Sequence, residues 1–487
     1  MIKNYDMVEV YILQLLDKNE RWWTIDEIAN KLQLAKVTAQ KYVSLIKTRL
    51  LAFRKDEVWL EVVTSKGIRL HRQFSFNIHV LYSDILKKQL AFSLIDSTLK
   101  FGSMSPVKIA LDNFTSVASV HRKYLALNKT LQRVNLSLKS NVIVGKEEEI
   151  RWFYSEYYWQ IFKGTEWPFP SISKAQTCQL IERIEQSLQI SIVPEVKEKI
   201  SYWIAINLIR YAKGYRVTED VEIKKYTSQN PYFSLFLKRL NEYYPNHTKI
   251  PHPQKLEEAE LLFFVFSSIS AVEKNKAFMD NIFLSHQESN TLMYKMTQDW
   301  LSLYEEYFYD TDFHHHHVQN KLLHIHSFSY LYTIDETLLL KTNYSKELIQ
   351  NYPSFFKRME KIYDVLSNHY PSIAKNKHYL MENYTLLAIE HLTLDKFEPV
   401  IRIALSFSEG HLYELVGQKR LSEYFSGKYK IEYVEHLKAK DILITDLPQL
   451  VINPLYSVVS VNLQLRHRDF NNIEQVILRH LKNLHTK

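Results

Sequence analysis

The chain has 487 residues, 46% hydrophobic and 24% charged, which is ordinary globular composition with length enough for several cores. The formal net charge of +8 sits at one end: residues 1–165 hold 25 Lys and Arg against 16 Asp and Glu, the remainder 37 against 38, as a polyanion-binding N-terminal module requires. The eight glycines form no G-x-G pair and no Walker A spacing, and the single cysteine, Cys178, excludes an internal disulfide and a cysteine-built zinc or iron–sulfur site.

Apolar residues at helical spacing predict helices over 7–20, 24–32 and 36–50. In the third, Ala39, Val43, Ile46 and Leu50 form one inward stripe, which leaves Lys36, Thr38, Gln40, Lys41, Ser44 and Lys47 outside. Amides and hydroxyls there can read base edges while lysines hold phosphates. Ala35 stands where an N-cap serine would be expected, so that helix start is weakly capped. The following LLAFRKDEVWLEVV reads as a two-stranded wing turning at Lys55-Asp56.

The pattern then recurs. Helices are predicted over 84–99, 105–113 and 117–131, the last with an inward stripe of Val120, Tyr124, Leu127 and Leu131. Ser119, His121, Arg122, Lys123 and Lys129 face outward, Ser116 can cap the helix, and a hairpin turning at Ser140-Asn141 follows. Two helix–turn–helix units in tandem, each with a polar-basic third helix, are the strongest signal in the chain.

Beyond KGTEWPFPSIS, a proline-marked linker, long helical patterns continue to about residue 394 and suggest two related bundles. Then Val400–Phe407, Ile431–Val434, Ile442–Thr445 and Val458–Val461 are short β-branched runs, with helical stretches after the first and over 472–484; this alternation predicts a small α/β domain with a largely parallel sheet. The expected fold is mainly α, divided into 1–70, 71–165, 170–285, 286–394 and 395–487. The N-terminus lacks a signal peptide's apolar core, and no apolar run approaches the ~18 residues of a membrane span, so a soluble, cytoplasmic chain is expected.

VASVHRKYLALNKTL followed by Gly145, Glu147, Ile150 and Arg151 resembles the Mga/AtxA-type transcriptional regulators of Gram-positive virulence. The resemblance extends over nearly the whole chain in domain order. It implies two winged helix–turn–helix units, the second of Mga type, two phosphotransferase-system (PTS) regulation domains, and a C-terminal domain similar to the sugar-transporter enzyme IIB subunit.

The same resemblance implies that histidines in the paired bundles are phosphorylated by a PTS phosphocarrier protein. Such a ring must be exposed enough for the donor to reach it. Where relatives can carry a histidine after glycine in the first bundle, Gly214 is followed by Tyr215, which leaves His247 and His252 in NHTKIPHPQ as substitutes. In the second bundle NKLLHIHSFSYLYT offers His324 and His326; two apart on a helix, they face different ways. The run His314–His317 reads as a solvated loop rather than a metal site, because four consecutive residues of a helix cannot converge on one ion. In the IIB-like loop, Ser406 to His411, there is no cysteine to carry phosphate, which favours a docking or dimerisation role.

The expected function is a DNA-binding transcriptional regulator, not an enzyme and without cofactor, controlled by PTS-dependent histidine phosphorylation and by oligomerisation. Its expected partners are double-stranded promoter DNA, AT-rich or curved, the phosphocarrier protein, and further copies of the chain through the C-terminal domain. The alternative is an RNA-binding antiterminator, since those proteins share the paired regulatory domains; the helical N-terminal third argues against their small all-β RNA-binding module.

Overall fold

The computed structural model describes residues 7–53, 56–103, 105–247, 256–268, 276–308, 316–334, 349, 352–391, 394–435, 438–448 and 455–485, with the side chains of 241–247, 316, 317, 395 and 485 left aside. The chain forms two compact units, Met1–Ser289 with Leu331–Leu340, and Asn290–Tyr330 with Lys341–Lys487.

The first unit opens with α1 (Val8–Lys18), α2 (Ile25–Leu32) and α3 (Lys36–Ala52), then an antiparallel hairpin of β1 (Val58–Val63) and β2 (Gly67–Arg72). Thr24 and Glu27 make a reciprocal capping box that starts α2. Ala35 gives α3 no side-chain cap, as expected; Lys36 instead pairs with Asp26 at 2.9 Å. The wing differs from the expected one. Helix α3 runs on through Leu51 and Ala52, and the strands turn at Thr64–Lys66 rather than at Lys55-Asp56, of which Lys55 lies outside the described residues. Gly67 ends that turn at φ +108, and a Cβ there would stand 2.4 Å from the Trp23 carbonyl oxygen. Only glycine permits the β2 backbone to bond Trp23 this closely.

The motif repeats as α4 (His79–Leu86), α5 (Leu90–Phe101), α6 (Pro106–Asp112), α7 (Val117–Leu131) and the hairpin β3 (Ser137–Lys139) with β4 (Val142–Val144). The single helix expected over 84–99 is two helices, broken where Gln89 takes an extended backbone. The β3–β4 turn falls where expected, with Ser140 and Asn141 both at positive φ, as a two-residue hairpin requires. A constant offset of 81 positions superposes the two motifs: the caps Thr24 and Ser105, buried Ile28 and Ile109, Ala29 and Ala110, Ala39 and Val120, and Leu50 and Leu131. Even the left-handed turn residue is shared, Gln33 at φ 52 and Phe114 at φ 49.

Helix α8 (Glu147–Phe162) leads into α9 (Lys174–Leu188), α10 (Pro194–Ala212), α11 (Val221–Ser228), α12 (Pro231–His247), α13 (Leu256–Ser267) and α14 (Lys276–Glu288).

The second unit contains α15 (Leu292–Phe308), α16 (His316–Leu331, its last residue falling to the first unit), α17 (Pro353–His369), α18 (Pro371–Ala374) and α19 (Lys377–His391). It ends in β5 (Ile401–Ser406), α20 (His411–Tyr424), β6 (Ile431–Tyr433), β7 (Ile442–Thr445), β8 (Ser457–Ser460) and α21 (His467–His485). The four strands are all parallel in the order β6-β5-β7-β8, and their core includes Ile403, Leu405, Leu421, Ile444, Phe470 and Ile473. The class is mainly α with a small parallel sheet at the C-terminal end, as the sequence pattern predicts. Among the described residues no helix is long and apolar enough to cross a membrane.

Candidate nucleic-acid interface

In α3 the buried positions are Ala39, Val43, Ile46 and Leu50, the inward stripe expected from periodicity. Lys36, Gln40, Lys41, Ser44 and Lys47 are exposed and Thr38 is half-buried. In α7, Val120 and Leu131 are buried while Tyr124 and Leu127 are half-buried; Tyr124 donates its hydroxyl to the Leu138 carbonyl at 3.0 Å, tying the helix to its hairpin. His121, Arg122 and Lys129 are exposed and Ser119 is half-buried, whereas Lys123 is half-buried and engaged.

Ser116 caps α7 by accepting from the Ser119 amide, and the Arg122 guanidinium donates to the Ser119 hydroxyl at 3.1 Å. That bond holds Arg122 along the start of the helix, where a cation and the positive end of the helix dipole together suit a phosphate. Periodicity alone missed the exposed aliphatic residues of these helices, of which Val37 in α3 and Leu125 in α7 are strongly exposed and lie among the polar and basic side chains.

Gly145, Glu147, Ile150 and Arg151 do something different: they are structural. Ile150 is core, and the buried Arg151 donates to Glu147, to Asn207 of α10, and to both oxygens of Glu258 on α13. Buried Arg210 of α10 donates twice to Glu147 and lies 3.5 Å from the ring of Tyr215. Two arginines and two glutamates thus neutralise one another where α8, α10 and α13 meet.

Two of the candidate regulatory histidines, His324 and His326, are not surface groups. Both are buried in the second unit, contrary to the exposure that a phosphoryl donor needs. Among the described residues neither ring nitrogen of His324 has a hydrogen-bond partner, and burial pushes its pKa down to about 4. His326 bridges Thr297 and Tyr384 at 2.8 Å each, and burial takes it down to about 3. His252, the His247 side chain, His314 and His315, and the side chains of His316 and His317 lie outside the described residues. In the loop after β5, Ser408 gives both its amide and its hydroxyl to Asp446, and exposed His411 sits 3.3 Å from Glu414. Carboxylates already take the donors that a phosphate would use.

Residues 74–158 match the Mga helix-turn-helix domain family, a span that holds the whole second motif and most of α8. The chain is a relative of the Mga/AtxA-type regulators. It is 24% identical over 302 residues to the capsule synthesis positive regulator AcpA of Bacillus anthracis, and 28% identical over 211 residues to that organism's anthrax toxin expression trans-acting positive regulator. The chain spans 61% of the length of the first and 42% of the second. A Streptococcus pneumoniae protein described as a putative trans-acting regulator is 20% identical across 98% of this chain and 96% of its own length.

Proposed function

We propose that the chain is a DNA-binding transcriptional regulator of Mga type. The observation that carries this reading is the 81-residue repeat, which sets two helices, α3 and α7, in equivalent frames with their polar and basic residues outward. Lys41 and Arg122 occupy the same position of that repeat and are both exposed. The regulatory names of the relatives, and the confinement of the charge surplus to residues 1–165, support the same reading. Lys36, Thr38, Gln40, Lys41, Ser44, Lys47, Ser119, His121, Arg122, Lys123 and Lys129 are the proposed contacts, within modules 1–70 and 71–165.

Modules 170–285 and 286–394 are proposed as PTS-regulation domains, and 395–487 as an enzyme IIB-like domain through which copies associate. Control by phosphorylation at His247, His252, His324 or His326 remains part of the proposal. For His324 and His326 it carries a structural condition: α16 must loosen from its neighbours before a donor can reach either ring.

The test titrates the full chain with AT-rich duplex DNA across a salt series, alongside Lys41→Ala and Arg122→Ala. Wild type should bind with a steep salt dependence, and each variant should weaken binding and flatten the slope by about one unit for each phosphate no longer held. Unchanged affinity and slope in both variants would remove these helices from the interface. Preference for an RNA hairpin over the duplex in direct competition would favour the antiterminator reading.

A further inference from the structure

The offset between the two motifs allows their outward faces to be compared residue by residue. A helix lying in the major groove reaches base edges through residues spaced i, i+3, i+4 and i+7. On α7 that stripe is Ala118, His121, Arg122 and Leu125; on α3 it is Val37, Gln40, Lys41 and Ser44. All eight residues are exposed. Leu125 is 63% exposed and Val37 75%. Each stripe therefore contains one large aliphatic side chain that the fold does not use, Val37 at the N-terminal end of one stripe and Leu125 at the C-terminal end of the other.

A lone leucine on a protein surface is ordinary. This one lies one helical turn beyond His121 and Arg122 and one turn before Lys129, on a face whose other exposed groups suit a polyanion. An aliphatic group among such cations has one apolar partner in the major groove, the C5-methyl of thymine.

We propose that Leu125 reads thymine methyl groups, making the second motif a reader of base identity at A·T pairs as well as a phosphate clamp. Ser44, its equivalent in the first motif, cannot do this; there Val37 is the only residue of the stripe that can. The proposal rests on the DNA-binding reading above. It predicts a preference for thymine that is independent of salt, because burying a methyl group releases no counterions.

The test uses the full chain, an AT-rich duplex, and the same duplex with deoxyuridine in place of every thymine. Deoxyuridine lacks only the C5-methyl and keeps every hydrogen-bonding edge. Wild type should bind the thymine duplex more tightly, by roughly fourfold for each methyl contacted. In Leu125→Ala and Leu125→Ser the ratio should fall towards one, while the salt slope stays at the wild-type value. Both variants should melt as wild type does, since Leu125 contributes nothing to the core.

Equal affinity of wild type for the two duplexes overturns the proposal. So does a full thymine preference surviving in both variants, or a flattened salt slope with the preference intact. Failure to bind either duplex overturns the DNA-binding reading itself and this inference with it.

Discussion

Thr297 has one hydroxyl proton and gives it to the Met293 carbonyl at 2.8 Å, so the 2.8 Å bond between its oxygen and His326 Nδ1 needs the proton on the ring. Nε2 of a neutral ring then accepts from the Tyr384 hydroxyl, and one set of protons satisfies the whole chain. His324, two residues earlier on the same helix, has no such partners. The two rings therefore make opposite predictions. His326→Leu strands the Tyr384 hydroxyl in the core and should destabilise the protein by about 2 kcal/mol or more. His324→Leu removes two unpaired polar atoms and should leave the melting temperature unchanged or raise it. Equal losses in the two variants would show that His324 also has a polar role.

Acid should expose the same burial. Both rings titrate below the ordinary histidine value when folded, near pH 4 and pH 3, whereas the unfolded chain takes up protons from about pH 6.5 downward. Stability is thus fully present above about pH 6.5 and is lost as pH falls towards the folded values, on the order of 1 kcal/mol per pH unit for each ring. Melting temperatures taken from neutral pH to about pH 5 should fall, and His324→Leu should make the decline shallower. An unaltered decline would mean that His324 is not held neutral. The sequence placed this histidine on a helix but did not reveal its burial, because His324 alternates with apolar residues that a helix can turn either inward or outward.

At the scale of elements, legibility followed local signals. Helix α7 and strand β7 start and stop where the sequence predicts, since Ser116 caps one and a short β-branched run defines the other. The misplaced wing turn has a local cause: Leu51 and Ala52 are good helix formers and prolong α3 past the expected end at residue 50. The break between α4 and α5 has none. Lys87, Lys88 and Gln89 contain no breaker, and the division comes from two separate faces, Leu81 with Ile85 and Leu94 with Ile95 and Leu99, being buried.

The motif Gly145–Arg151 was legible as a pattern but not as chemistry, because the partners that explain it lie on α10 and α13, far along the chain. Taking away Glu258 leaves the Arg151 charge buried, while Glu147 remains shared with Arg210. Glu258→Ala should cost about 3–5 kcal/mol, and Glu258→Gln less, since it keeps an acceptor for the guanidinium. Thermal unfolding of the full chain checks this. A loss below about 1 kcal/mol in Glu258→Ala would mean that Arg151 finds solvent without its partner.

At the scale of the whole molecule, the C-terminal sheet has a helix whose outer side exposes several large apolar side chains. Helix α20 buries Gly417 and Leu421, and a Cβ at Gly417 would come within 2.8 Å of Leu405 and Phe407, so the helix lies close against the sheet. Its outer side exposes Leu412 at 75% and Val416 at 59%, one turn apart, with Tyr413 and Leu415 beside them. An exposed apolar stripe of this kind suits the association proposed for residues 395–487, and a second copy can meet it with its own α20 across a two-fold axis. Replacing Leu412 and Val416 together by glutamate should lower the mass measured by sedimentation from a dimer or larger assembly to the monomer, with the melting temperature unchanged. It should also weaken binding to an extended duplex more than to a short one, because only linked copies gain effective concentration on a long site. If the mass falls but both duplexes lose affinity equally, association orients each copy's α3 and α7 rather than adding a second anchor. If the mass does not fall, α20 is not the surface through which copies associate.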